Sequence, residues 1–206
     1  MKKIVLLFGL LVFTSVCFGQ SKQVKAKIDS IAGQWKVDDN GNVTYQRVVD
    51  FPNMKKDDIY NRALAYFVYN YGSGKAVIQT QDKDGGIIIA KGIYDKVYSG
   101  NSTIFFVVSF QTSHILKIEC KDEKARITLT LVEYEEDIRA SKNSSMTERI
   151  GSVYPVNSNQ SSQIITKNAY GEAFYASHKR ALSSLAAIEK AINEGNTAKE
   201  IEDNNW

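Results

Sequence analysis

Cysteine, histidine and excess charge are all scarce in this chain, and each scarcity removes a class of function. Of two cysteines in 206 residues, Cys17 lies in an amino-terminal segment with the marks of a cleaved signal, so Cys120 has no partner for an intramolecular disulfide. Stability must come from packing, and Cys120, in an apolar-alternating stretch, reads as a buried small hydrophobe. The two histidines, His114 and His178, are distant in sequence from each other, so no metal-ligand spacing exists. Charge is nearly balanced. The 26 basic and 23 acidic residues become 24 against 23, a net of +1, once Lys2 and Lys3 leave with the signal. No basic field remains to steer nucleic acid, and DNA or RNA is not an expected partner.

Long apolar runs are also rare, and the one at residues 4–13 is informative. Lys2 and Lys3 precede it and Thr14-Ser15-Val16-Cys17-Phe18-Gly19 follow, which is the layout of a bacterial secretory signal. Cys17 and Gly19 place small residues at the two subsites a signal peptidase reads, so cleavage is expected before Gln20. A spanning helix needs about 20 apolar residues, and Thr14, Ser15, Gly19 and Gln20 interrupt the run too early. A lipoprotein would carry its acyl chains on Cys17, but Val16 and Thr14 fit that motif poorly. The expected location is therefore the periplasm or the exterior. Removing residues 1–19 leaves 187 residues from a chain that is 43% hydrophobic, enough for one ordinary domain and an appendage.

After an amino-terminal extension at 20–30, the segment 31–51 reads as a hairpin. Strand-like 34–38 and 43–51 flank Asp39-Asn40-Gly41-Asn42, whose Asn-Gly pair tolerates positive φ. Pro52 closes the strand. An amphipathic helix is expected over 57–71, with Ile59, Ala63, Tyr66, Phe67 and Asn70 on one face and an Asp58 to Arg62 pair on the other. Gly72 and Gly74 end it. Strands then follow at 76–81, 87–97, 104–110, 114–120 and 125–134, with turns at Asp82-Lys83-Asp84-Gly85-Gly86, Tyr98-Ser99-Gly100-Asn101 and Lys121-Asp122-Glu123-Lys124. Leu116, Ile118 and Cys120 alternate with Lys117 and Glu119, as Ile127, Leu129 and Leu131 do with Arg126, Thr128 and Thr130. One face is core and the other wet, as in an antiparallel sheet. The domain so defined spans 31–137. Residues 138–168 turn rich in Ser, Asn, Gln and Thr and read as a polar linker with one short strand at 151–154. A carboxyl-terminal helix over 169–195 carries Phe174, His178, Ala181, Leu185, Ile188 and Ile192 at helical spacing, and 196–206 form a polar tail.

The local wording of the core resembles a known family. Ala76-Val77-Ile78-Gln79 through Asp82-Lys83 to Gly86-Ile87-Ile88-Ile89-Ala90-Lys91-Gly92 resembles the strand-turn-strand pattern of the secreted Bacteroidetes domain of unknown function family 4468. Asp57-Asp58-Ile59-Tyr60-Asn61-Arg62-Ala63 resembles its helix opening, and the stretch from Ile118 through Asp122 and Glu123 to Arg126 resembles its hairpin. The resemblance covers about 35–134. It implies an α+β, TATA-binding-protein-like (TBP-like) fold, a strand, a helix and an antiparallel multi-strand sheet, here with a long carboxyl-terminal helix. It implies no activity. Two departures are local: Met54-Lys55-Lys56 stand where the family has a serine helix cap, and Glu123 where its hairpin carries a glycine.

No catalytic, cofactor or metal set emerges from the residues. A hydrolase needs a nucleophile, a base and an orienting group; His114 is expected on a strand edge, His178 on a packed helix face, and no G-x-S-x-G elbow occurs. Asp82-Lys83-Asp84-Gly85 imitates the start of a calcium loop but lacks the later oxygen ligands. Gly72-Ser73-Gly74-Lys75 imitates a phosphate loop in the wrong strand–helix order. Glu133, Glu135, Glu136 and Asp137 read as a solvated strand end, and Tyr60, Tyr66, Tyr69 and Tyr71 as a half-buried collar. The first reading is thus a noncatalytic binding or assembly module for a protein, peptide or envelope component. The second is a carrier of a small apolar ligand held between the carboxyl-terminal helix and the sheet, on fold analogy alone.

Overall fold

The computed structural model of the chain describes residues 21–70, 76–104, 106–139, 144–159 and 165–195, and its sheet starts around Asp38. The Asp38 carboxylate accepts the backbone N–H groups of Asn40 (3.0 Å) and Asn42 (2.8 Å). Gly41 sits at φ 81°, the left-handed region that favours glycine. This turn joins β1 (Lys36–Val37) to β2 (Val43–Asp50), so the expected hairpin forms with a shorter first strand. Before it, α1 (Lys22–Ser30) fills most of the extension, its first turn capped by the Ser21 hydroxyl, which accepts from Val24 N–H at 3.1 Å.

Helix α2 (Lys56–Asn70) follows, then β3 (Ala76–Asp82), β4 (Ile87–Asn101), β5 (Val107–Lys121), β6 (Lys124–Arg139) and β7 (Ser144–Arg149). The strands pair antiparallel in the order β1-β2-β6-β5-β4-β3, with β7 also on β6. Three differences from the expected strands have physical causes. Tyr98-Ser99-Gly100-Asn101 is not a turn, because Tyr98 to Asn101 pair in order with Phe110 to Val107; the ladder overrides local turn chemistry. The irregularity it needs is a bulge between Tyr94 and Tyr98, with Lys96 at φ 47°. The strands expected at 104–110 and 114–120 are one strand, β5, that absorbs a register shift between Ser113 and His114. Within the segment expected as linker, Ser144–Arg149 pair with Ile138 to Glu133. Strand β2 stops opposite Leu131, which leaves the end of β6 an unpaired edge, and β7 satisfies its backbone groups whatever its side chains. The short strand expected at 151–154 is instead a 3-10 turn, Ile150–Ser152, followed by buried Val153 and Tyr154.

One face of the sheet is closed. Leu116, Ile118, Ile127, Leu129 and Leu131 are all at most 1% exposed, and the registers Leu116↔Leu129 and Ile118↔Ile127 put them on the same side. Helix α2 packs there through Ile59, Ala63, Tyr66 and Phe67, as expected of that face, while Tyr60 and Tyr66 are buried core residues and not the half-buried collar expected of them. Its missing serine cap is supplied from the β5–β6 hairpin: Asp122 Oδ1 accepts Lys56 N–H at 2.8 Å, a carboxylate at the positive end of the helix. Glu123 adopts φ 61°, a conformation that favours glycine, the residue the resemblance leads one to expect here, and it ties the same hairpin to Phe51, Asn53 and Met54. The two departures are one joint.

Helix α3 (Lys167–Glu194) has 28 residues and is about 42 Å long at 1.5 Å per residue. Thr166 caps it, Gly195 ends it at φ 76°, and Arg62 of α2 donates to its last carbonyls at Ile192 (2.8 Å) and Asn193 (2.9 Å). The helix lies over β4, β2, β6 and β5 and beside α1 and α2. Phe174, Ala181, Leu185, Ile188 and Ile192 are at most 1% exposed. The apolar stripe is covered by the protein's own sheet and helices.

Candidate functional site

Polar side chains collect where α3 crosses the sheet. The Tyr45 hydroxyl and His178 Nδ1 are 3.1 Å apart, Thr112 Oγ1 and Ser177 Oγ 2.8 Å, and Tyr94 hydroxyl and Ser184 Oγ 2.8 Å. Ser177 also donates to the Ala173 carbonyl at 2.7 Å. His114 stacks on Tyr94 with ring centroids 4.0 Å apart and planes at 20°. Strands place these groups by alternation: His114 and Thr112 lie two apart on β5, and Gly92 and Tyr94 are their partners on β4. The helix supplies Ser177, His178 and Ser184 at the spacing that turns one stripe toward the sheet.

Electrostatics keep most of this seam neutral. Burial pushes the Tyr45 and Tyr94 hydroxyls far above their ordinary value, and lowers His114 to about 4 and His178 in the same direction. A hydroxyl that is hydrogen-bonded to another hydroxyl, beside an imidazole bonded to a phenol, has no strong base to activate it. What the seam does is fix the register of α3, since each buried polar group must keep its own partner.

The sequence placed His178 on the packed face of the helix, and it is there. His114 is not on a strand edge: β5 is central and the ring is 2% exposed. Cys120 is buried, and burial pushes its thiol up to about 11. Glu133, Glu135 and Asp137 do lie on the wet side of β6, but Glu136 faces the helices and is 1% exposed. Sequence reasoning missed it because the Ser113/His114 irregularity sets Tyr134, Glu136 and Ile138 inward after Leu131. The change of phase from Leu131 to Tyr134 and Ile138 was the available signal. The carboxylate of Asp82 is spent on its own turn, accepting Gly85 N–H at 2.8 Å. Among the described residues no group of three His, Cys, Asp or Glu side chains is placed to hold a metal ion. Gly72-Ser73-Gly74-Lys75, Tyr71 and the signal segment lie outside the described residues, and so does the side chain of Tyr69.

The opposite face of the sheet has no helix on it among the described residues. Across it run rows set by register: Val48, Arg126, Glu119 and Ile87; Gln46, Thr128, Lys117 and Ile89; Thr44, Thr130, Ile115 and Lys91. Arg126 grips Glu119 with two bonds of 2.7 Å and Lys117 approaches it at 3.1 Å. Arg126 is the main reason the Glu119 carboxyl falls to about 2. Val48 is 64% exposed and Ile93 36%, while Ile87, Ile89 and Ile115 are half-buried. A separate open groove of about 440 Å³ runs between β2 and the end of α3, lined by Arg47, Val49, Asp50, Phe51, Ala186 and Glu189 among others.

Comparison with known proteins agrees with this architecture. The model of the family described as a domain of unknown function (DUF4468) with TBP-like fold matches residues 45–135. A crystal structure of a TBP-like protein from Parabacteroides distasonis superimposes with TM-score 0.59 at 15% identity, covering 77% of this chain and 97% of that one. A crystal structure of a DUF4468 family protein from Bacteroides ovatus gives 0.56 at 12%, with 82% and 97% covered. No curated protein matches. Matches at such identity carry the fold alone. Residues 45–135 match the DUF4468 family model, and the chain has the TBP-like fold, extended by β7 and the long helix α3.

Proposed function

We propose that this protein is a noncatalytic binding or assembly module of the periplasm or cell exterior, which meets a protein, peptide or envelope component through the helix-free face of its sheet. The observation that carries the reading is the asymmetry of that sheet. On one side α2 and α3 close over residues that are almost all buried, with Tyr45 and His178, Thr112 and Ser177, and Tyr94 and Ser184 paired across the seam. The other side leaves Ile87, Ile89 and Ile115 half-buried and Val48 exposed among Thr, Lys and Arg. Such a mixture of apolar centres and charged borders suits a protein partner. The export half of the proposal rests on the order of Lys2-Lys3, the apolar run and the small residues after it.

The carrier reading has less support. It needs an apolar volume under α3, whereas rings meet there: Trp35 and Phe174 centroids are 5.3 Å apart, Tyr45 and His178 5.5 Å, Phe110 and Tyr170 5.4 Å. The test is photo-crosslinking in the producing cell, with the reactive side chain at position 89 on the open face or at exposed Ala187 on the back of α3. A discrete adduct from position 89 and none from 187 is expected. Adducts from 187 alone, or from neither, would defeat the proposal.

A further inference from the structure

Glu136 differs from the paired groups of the seam in being a carboxyl group. It is 1% exposed, and among the described residues neither carboxylate oxygen meets a partner at hydrogen-bonding geometry, although the Tyr170 hydroxyl lies near enough to favour the charged form. Phe110 stands directly across from it on β5 and Met146 on β7. The rings of Phe110, Tyr134 and Tyr170 close around this position at centroid separations of 5.4 to 6.0 Å. Tyr170 comes from the first turns of α3, so the helix is the lid over the carboxyl group. The titratable groups facing it are Tyr134 on its own strand, Glu148 on β7 and Tyr170 on α3; β5 contributes none. Burial holds both tyrosines neutral, and Glu148 carries the same charge. Lys167, the nearest α3 cation in sequence, is engaged by the Ser158 carbonyl at 2.6 Å.

The same end of α3 holds two other segments. Lys27 of α1 bonds both Glu172 oxygens at 2.7 and 2.8 Å, and Ser21 N–H donates to Asn168 Oδ1 at 2.7 Å. Gly171 presents bare backbone to Val24 and Tyr154, where even a Cβ would come within 2.4 Å of the valine. Anything that lifts Tyr170 therefore disturbs α1 and the segment around Tyr154.

We propose that Glu136 is a pH-responsive latch: as a neutral acid it lets the amino-terminal end of α3 close on the sheet, and as a carboxylate it draws water in and loosens α3, α1 and the Tyr154 segment together. An unpaired ion in an apolar enclosure is unfavourable, so the site resists either ionisation or closure. Burial pushes the carboxyl up to about 7, with the Tyr170 hydroxyl pulling it down and Glu148 pushing it further up. A folded value above the ordinary 4.5 means the latch's contribution is complete below that pH and is lost as pH rises to about 7. His114 and His178 act in the opposite sense, since burial lowers both, and their contribution fades only as pH falls below about 6.5.

Hydrogen exchange of the whole mature chain at pH 5 and pH 8, corrected for the intrinsic rate, tests this. In the wild type, protection over residues 22–31 and 167–178 should fall by about tenfold or more between the two, since each pH unit below the folded pKa changes the balance up to about tenfold. Glu136→Gln should keep its protection at both. Tyr170→Phe, which removes the hydroxyl that favours the charged form, should move the levelling-off of the loss to higher pH. An equal fall in Glu136→Gln, no fall in the wild type, or an unmoved levelling-off in Tyr170→Phe would overturn the proposal.

Discussion

At the scale of single residues, the positions that matter are those where the fold leaves no alternative. Leu129 is wholly buried between its cross-strand neighbours Tyr45 and Leu116. Leu129→Ala should cost about 2–5 kcal/mol in chemical denaturation, the usual range for such truncations. A loss under 1 kcal/mol would show that the site collapses around the gap. Gly86 is constrained twice: φ is 69°, and a Cβ would lie 2.5 Å from the Cys120 carbonyl oxygen, which is held by the reciprocal bond from Cys120 N–H to Gly86 O at 2.7 Å. Gly86→Ala should therefore destabilise by more than about 1 kcal/mol, beyond the ordinary entropic gain of alanine. Its melting temperature, compared with that of a Gly33→Ala control, where the φ of 79° is similar but a Cβ meets nothing within 4 Å, separates the clash from the backbone strain.

The elements divide into those whose pattern is local and those made by the sheet. Helices α2 and α3 were legible because apolar residues recur with helical period and glycines stand beyond their expected ends. The β5–β6 hairpin was legible because apolar and polar residues alternate through Leu116–Cys120 and Ala125–Leu131 on either side of the polar turn Lys121-Asp122-Glu123-Lys124. What escaped was set by partners distant in sequence. Ser99 and Gly100 look like turn residues but are held in β4 by Ser109 and Val108, and polar β7 is a strand because β6 offers it a free edge. Glu136 reads as a surface charge until the bulge reverses its face. Cap substitution by Asp122 was equally invisible, since it joins residues 66 apart in sequence. The prediction at this scale concerns α3. Ending the chain before Thr166 should strip the cover from Tyr45, Tyr94 and His114, lower the melting temperature and raise dye binding, because a five-turn apolar stripe and the face below it both lose their burial. Equal stability of the shortened chain would make α3 a separate arm.

Considered as a whole molecule, the protein is a one-sided sheet among the described residues: a filled helical side that holds it together and an open side, to which the proposed function assigns partner contact. No helix among the described residues is long and apolar enough to cross a membrane, and the expected export signal lies ahead of them. Native mass spectrometry of the chain purified from its own host tests the central claim most directly, because it weighs the folded protein with whatever its interior holds. The account predicts a chain beginning at Gln20, with no small molecule bound. A stoichiometric apolar adduct that is lost on denaturation would contradict it and put a ligand where the structure has α3 and the sheet in contact.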